Sequence, residues 1–512
     1  MIRSNTIVLS AEGMTLEDLA AVARKGTEVH LAEQARQRIL EAGQLVEQWV
    51  REGRVVYGVT TGFGALSDVV ISREETRHLQ RNLLMSHSAG VGPVLDEETV
   101  KAVMALRAKE FARGNSGIRL KTVERLIELL NRGVSPVVPE KGSVGASGDL
   151  APLAHLALVL IGLGEAFYRG DRLKGSEALH RLGLEPLELE AGEGVALVNG
   201  TQVMTAIGGL ATYDAIHLSK IADVAATMSL EVLMGSRTEF NQRIHDVRPH
   251  PGQAAAADNM ERLTRNSEII SSHKDCSRVQ DAYTLRCSPQ VHGASKDAIG
   301  YARKVIEREM NSSTSNPLIF PETKDFLLGG NFHGQPVALA LDFLCMAVSE
   351  IASISERRVE RLVNPFLSGL PAFLVSHGGL NSGFMIAQYT AASLVSENKI
   401  LSHPACVDSI PTSANKEDHV SMGTISARKA REVVKNSEHV LAIELLCAAQ
   451  ALDLFTNMKP GEGTLAAYRV IRDAVPHLER DRVLSPDILK VVRLIQEGSL
   501  LDVVESKVGP LN

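Results

Sequence analysis

The second half of the chain is dominated by long stretches whose apolar residues recur at helical spacing, and these restrict the fold more than any other feature. Between about 420 and 455, Val434, Leu441, Leu445, Ala448 and Leu452 fall on one stripe. Comparable segments run over roughly 292–310, 336–362 and 382–399. Helices of that length bury such stripes by bundling. Aromatic residues make up only 4% of the chain, so Leu, Val, Ile and Ala must do the packing. The spacing predicts a mainly α fold: a long-helix bundle subunit with a smaller mixed N-terminal region. In chain order this gives an N-terminal region over 1–200, a central bundle over 201–455 and a C-terminal helical segment over 456–512. No internal repeat, sustained heptad run or low-complexity segment interrupts it.

Charge and cysteine usage exclude several classes. The 54 Lys and Arg against 61 Asp and Glu leave a net charge of -7, with no basic block. Nucleic acid and anionic membrane surfaces are therefore not expected partners. Cys276, Cys287, Cys345, Cys406 and Cys447 are scattered and form no CxxC pair. That pattern suits free thiols in a reducing compartment, not a disulfide framework or a metal site. The N-terminus has no signal-peptide core, and apolar stretches such as Leu153–Leu163 are too short to span a bilayer. A cytoplasmic protein is expected.

The N-terminal region begins with a strand-like run, Ile7-Val8-Leu9. Two helices follow; in the second, Leu31, Ala35, Ile39, Ala42, Val46, Trp49 and Val50 recur at helical spacing, with Trp49 in the core. Residues 54–68 change character. Their Gly-Val-Thr-Thr-Gly-Phe-Gly run, entered through Tyr57, marks a flexible loop. It lacks the Lys-Ser/Thr ending of a phosphate-binding loop. Three helices are predicted around Leu79–Ser86, Val100–Phe111 and Val123–Leu130, with His87 closing the first. A histidine there can complement the helix dipole.

Residues 142–155 read Gly-Ser-Val-Gly-Ala-Ser-Gly-Asp-Leu-Ala-Pro-Leu-Ala-His. Asp149 is a plausible N-cap, and Leu150–Leu163, apolar all round, reads as a buried helix. Ala146-Ser147-Gly148 has an unusual chemical capability. A sharp bend that brings the Gly148 nitrogen onto the Ala146 carbonyl carbon closes a five-membered ring. Loss of water from that carbon and from the Ser147 side chain leaves a methylidene-imidazolone. Gly148 offers the least hindered nitrogen and the freest backbone. Ala146 is small enough for the bend, and Ser147 supplies the hydroxyl that leaves. By itself the tripeptide is also an ordinary glycine-rich turn.

The wider string resembles the signature of the aromatic amino acid ammonia-lyase family. The resemblance extends from Tyr57-Gly-Val-Thr-Thr-Gly-Phe-Gly to Glu417-Asp-His-Val-Ser-Met. It implies that family's mainly helical subunit and a homotetramer with active sites shared between subunits. It implies a 4-methylidene-imidazol-5-one formed autocatalytically from Ala146, Ser147 and Gly148, with no external cofactor and no metal. It also implies Tyr57 as the base for the substrate β-proton, with Tyr283 as a second catalytic tyrosine. Arg286 would clamp the substrate carboxylate, its planar fork suiting a bidentate contact. Asn199 would orient the amine or the prosthetic oxygen, while Gln280 and Phe332 would line the pocket.

Two segments bear on the substrate. Ser86-His87 is similar to the selector pair of members that act on histidine, and Glu417-Asp418-His419 matches their second selector. The chemistry agrees, since a neutral imidazole carries one donor and one acceptor. His87 and Glu417 can satisfy both, whereas a phenyl ring would leave both groups unpaired at about 1–3 kcal/mol each. The expected substrate is L-histidine, leaving as trans-urocanate and ammonia. A histidine 2,3-aminomutase, or another aromatic amino acid lyase using the same electrophile, is the alternative; a non-catalytic helical binding or structural protein is a more distant one. The chain departs from the family pattern at Lys416, where Gln is usual, at Ser315, where Asp is usual, and at Thr284, where Ser is usual.

Overall fold

The computed structural model describes residues 6–11, 13–72, 74–273 and 279–512. It divides into two compact units, each assembled from separated stretches of chain. The first comprises Met1–Tyr213, Arg303–Asp342 and Pro404–Arg428; the second comprises Asp214–Ala302, Phe343–His403 and Lys429–Asn512.

The first unit is the mixed one. Thr6–Leu9 pairs in parallel with Glu28–Leu31. Val91–Val94 pairs antiparallel with Pro139–Lys141, and Leu318–Phe320 with Asp325–Leu327. Ser135–Pro136, Glu165–Tyr168 and Asp171–Lys174 form a three-stranded sheet. Helices Glu33–Glu52, Thr76–His87, Glu97–Phe111 and Leu120–Asn131 cover the periodic segments read from the sequence. Trp49 is buried with Val46, Val56, Val59 and Ile319, and Phe326 meets it edge-on at 5.4 Å. The Arg54 guanidinium stacks 4.8 Å from both rings, which fixes the chain just before Tyr57.

Two local expectations needed correction. The apolar helix after Asp149 is α-helical only over Leu150–Leu158. It tightens to 3-10 geometry at Val159–Ile161 and stops at Gly162, which adopts φ 75°. The stop is a left-handed glycine, which an apolar run does not announce. The apolar run through Leu197 and Val198 invites one long helix onward, yet the chain breaks there: Glu193–Val198 ends at Asn199, and Gln202–Val232 begins beyond Gly200.

The second unit carries most of each long helix: Gln202–Val232, Ser288–Met310, Gln335–Val363, Met385–Leu401 and Gly423–Leu452. Its interior is not purely apolar. Arg358 and Glu444 form a fully buried ion pair, and Asp223 meets His292 at 2.7 Å and Lys296 at 3.2 Å. Contrary to the sequence expectation, Gln335–Val363 is long and apolar enough to cross a membrane. Some 67% of its apolar window is buried, which is how the core helix of a bundle looks.

Candidate active site

Residues 145–148 fold back on themselves, with Gly145 and Gly148 forming an antiparallel bridge. Ser147 takes φ 50° and Gly148 φ 77°. A Cβ on Gly148 would lie 2.0 Å from the Gly200 carbonyl oxygen, so only glycine fits. Gly145, Ala146, Gly148 and Asp149 are all buried, and Ser147 alone among them is partly exposed. The turn is sharply bent, and Ser147 is its most accessible residue.

Two donors converge on the Ser147 carbonyl oxygen. The Gly200 N–H lies at 3.2 Å. The Asn199 amide donates at 3.1 Å while its oxygen accepts from the Asn316 N–H at 2.8 Å. Behind the turn, the buried Asp149 carboxylate does not cap its helix. It accepts from the Met204 N–H at 2.8 Å, from the Ser143 hydroxyl at 3.2 Å and from Thr424. Burial pushes its pKa up to about 6 despite those bonds. On the other side Ala146 packs against Val420 and Met422, and the Met422 N–H donates to the Val144 carbonyl at 2.9 Å.

The Tyr57 loop is more tightly held than its glycines suggest. Val56, Val59, Thr60 and Thr61 are buried. The Thr60 hydroxyl accepts from the Val56 N–H at 2.9 Å and donates to the Arg54 carbonyl at 3.0 Å. The Tyr57 hydroxyl accepts from the Gly64 N–H at 3.3 Å. Burial raises its pKa and the Glu417 charge raises it further; the Gly64 hydrogen bond works the other way. A phenol that is to accept a proton near neutral pH needs a lowered pKa, whereas within the single chain the balance runs upward.

His87 ends helix Thr76–His87 and meets the Ser86 hydroxyl at 3.1 Å through Nδ1. Burial depresses its pKa, opposed by the Leu83 carbonyl and by the Glu417 charge. Glu417 therefore acts electrostatically on both Tyr57 and His87. It closes a turn in which Thr412 and Glu417 pair, and its carboxylate accepts from the Thr412 hydroxyl at 2.8 Å. Inside the turn Ser413, Ala414 and Asn415 have φ of 51°, 50° and 68°. Three successive left-handed residues cost about 1 kcal/mol or more each, and Asn415 is the one best suited to it. Phe332 sits in the short loop before helix Gln335–Val363. Gly334 presses that loop onto Met204 and Ser421 so closely that a Cβ would lie 2.4 Å from the Met204 sulfur.

Gln280, Tyr283 and Arg286 belong to the second unit. Tyr283 and Arg286 bound one helical turn, with the guanidinium 4.6 Å from the phenol ring centre. Tyr283 is 71% exposed. Arg286 and Gln280 open onto a cleft of about 1080 Å³ that is also lined by Arg237, Glu239 and His273. The buried Arg286 Nε has no hydrogen-bond partner among the described residues.

A family model described as aromatic amino acid lyase matches residues 14–473. The chain belongs to the aromatic amino acid lyase family. It is similar to the histidine ammonia-lyase of Alkaliphilus oremlandii, at 57% identity over 98% of this chain and 99% of that one. Among solved structures, the histidine ammonia-lyase of Trypanosoma cruzi is 43% identical, with a TM-score of 0.92 over 98% of this chain and 96% of that one. The tyrosine aminomutase of Streptomyces globisporus is 37% identical, with a TM-score of 0.94 over 99% and 100%.

The departures from the family pattern can be placed in this lyase. Lys416 is exposed, and Glu417 takes the Thr412 hydroxyl as its partner. Ser315 is buried and donates to the Glu110 carboxylate at 2.7 Å. An aspartate there would set a second carboxylate against Glu110, whereas the serine supplies a proton. Thr284 is half-buried, and its hydroxyl oxygen is unpartnered among the described residues. The sequence reading passed over Gly200, Thr424 and Ser413, and took Asp149 for no more than a helix cap. The Asn199-Gly200 turn signal was the one local hint of a backbone break at this place.

Proposed function

We propose that this lyase removes ammonia from L-histidine without oxidation and releases trans-urocanate. The prosthetic group is a 4-methylidene-imidazol-5-one formed autocatalytically from Ala146, Ser147 and Gly148, with no external cofactor. Its two similar histidine ammonia-lyases support the choice of substrate. The observation that carries it is that Tyr57 and His87 both lie within electrostatic reach of the Glu417 carboxylate. His87 and Glu417 offer one partner to each nitrogen of an imidazole, and a phenyl ring would strand both.

When closed, the ring supplies a carbon–carbon double bond conjugated to the Ser147 carbonyl, an electrophile that ordinary side chains lack. The Gly200 N–H and the Asn199 amide are aimed at that carbonyl oxygen, where negative charge develops as a nucleophile adds. Tyr57 takes the β-proton. The Gly64 N–H favours its phenolate. A substrate ring N–H donated to Glu417 spreads the charge that otherwise opposes that phenolate. Arg286 clamps the substrate carboxylate, and its unpaired Nε is a donor waiting for it. Tyr283, Gln280 and Phe332 line the pocket.

The protein works as a cytoplasmic homotetramer with active sites shared between subunits. In support, Tyr283 is largely exposed in the single chain. Helix Gln335–Val363 also presents Leu339, Phe343 and Met346 to solvent at 51%, 42% and 41% exposure, one apolar ridge at i, i+4 and i+7 spacing. The small-molecule substrate is the only other partner proposed.

Incubation with L-histidine tests the reading. Rising urocanate absorbance with stoichiometric ammonia is expected. β-Histidine as the main product, or turnover of phenylalanine in preference to histidine, would overturn it.

A further inference from the structure

The short turn Gly64–Leu66 has two N–H groups at its start that its own carbonyls do not satisfy. Gly64 donates to the Tyr57 hydroxyl at 3.3 Å. Its neighbour Ala65 donates to the Ser413 hydroxyl oxygen at 3.1 Å, across 348 positions of sequence. The two acceptors are therefore adjacent along one turn. Approach is close enough that a Cβ on Gly64, whose φ is 52°, would lie 2.3 Å from the Ser413 oxygen.

Ser413 reaches this place at a conformational cost. It opens the left-handed run Ser413-Ala414-Asn415, a conformation that serine and alanine rarely adopt. The run is closed by Asn415 N–H to the Thr412 carbonyl at 3.1 Å and Lys416 N–H to the Ser413 carbonyl at 3.1 Å. It ends at Glu417, held by the Thr412 hydroxyl. One six-residue turn thus carries both the carboxylate that faces the substrate ring and the hydroxyl that faces the Tyr57 loop. Strain of this kind persists where surrounding contacts fix it, and it gathers at working sites.

We propose that Ser413 is a positioning residue. Its hydroxyl latches the Gly64–Leu66 turn, so that the Gly64 N–H stays on the Tyr57 hydroxyl and the base is held at the β-proton while Glu417 holds the ring. The proposal rests on the reading of Tyr57 as the base. Because Ser413 touches the loop and not the substrate, it governs proton removal more than binding.

Three variants of the full-length protein test it: Ser413→Gly, Ser413→Ala and Ser413→Thr. Glycine removes the acceptor and also relieves the left-handed backbone, so strain and latch are separated. The readouts are kcat, KM for L-histidine, the isotope effect with β-deuterated histidine, and deuterium exchange at the Ala65 and Gly64 amides. Loss of one hydrogen bond predicts a kcat lowered about three- to tenfold in both the glycine and the alanine variants. KM should change less than about twofold, the isotope effect should rise, and Ala65 exchange should quicken about tenfold. Threonine keeps the hydroxyl but adds a β-branch at a left-handed position, so its kcat should fall while Ala65 exchange stays slower than in the alanine variant. Unchanged kcat and Ala65 exchange in Ser413→Gly would overturn the latch. So would a rise in KM with kcat intact, which would place Ser413 in binding. Amide exchange does not depend on turnover, so a failed latch is distinguishable from a wrong assignment of Tyr57: in that case exchange quickens while the isotope effect stays flat.

Discussion

The Ser147 carbonyl and the Arg286 guanidinium are both assigned to the same reaction, yet the chain treats them differently. The carbonyl is met by two donors from its own unit, and the turn that bears it is packed on both sides. The guanidinium leans on a tyrosine that is 71% exposed, and its Nε has no partner among the described residues. Strong polar groups left unpaired are costly in a finished site. On the proposed reading of shared sites, the first group is furnished by one chain and the second by another.

That contrast can be broken most forcefully at the electrophile. Ser147→Ala removes the hydroxyl that must leave while keeping the packed turn. Urocanate formation should fall by ~10³-fold or more, equivalent to about 4 kcal/mol. The thermal midpoint should stay within a few degrees; retained turnover would end the prosthetic-group reading. Arg286→Ala should lower kcat/KM about 30- to 150-fold, as expected for about 2–3 kcal/mol of charge-assisted hydrogen bonding. Co-expression of Ser147→Ala with Arg286→Ala sharpens the comparison. If subunits share sites, mixed oligomers recover activity that neither variant has alone, and no recovery would put Arg286 in the service of its own chain.

His87→Leu should cost about 1–2 kcal/mol with histidine, roughly a tenfold rise in KM, with little change in stability. Equal kinetics before and after substitution would remove His87 from ring recognition. The smallest effect concerns acid. Burial holds His87, His155 and His292 below their ordinary pKa of 6.5. The unfolded chain protonates them near 6.5, the folded chain only at lower pH. Their stabilisation is therefore complete above that value and is lost as pH falls. Asp149 opposes this, because its folded pKa of about 6 exceeds the ordinary 3.8, and burial raises Glu231, Glu239 and Glu309 too, so acid favours the fold through these carboxyls. The slope of the denaturation midpoint between pH 7 and 5 reports the balance of the two sets. His155→Gln should tilt that slope toward the carboxyls by up to about 1 kcal/mol per pH unit. Gln can still accept the Gly90 N–H that His155 Nε2 takes at 3.0 Å.

The turn within residues 142–155 was legible because its glycines stand close together just ahead of an apolar run. The long helices were legible because their period repeats over several turns. What stayed hidden depends on partners far away in sequence. Nothing local to Ser413 announces Ala65, nor does anything near Arg358 announce Glu444, 86 positions on. Asp149 looked like a cap because its neighbours are those of a cap. Its actual partners, Met204 and Thr424, belong to other segments. The helix end at Gly162 was lost for the opposite reason, since the apolar run carries on to Leu163 past the glycine that stops it.

The Thr424 contact to Asp149 spans 275 positions, and the Met422 N–H clasps Val144 beside it. A ribosome that has just released Ala146-Ser147-Gly148 has therefore not yet made the residues that pack against this turn, and the turn gains its last contacts only when most of the polypeptide has been synthesised.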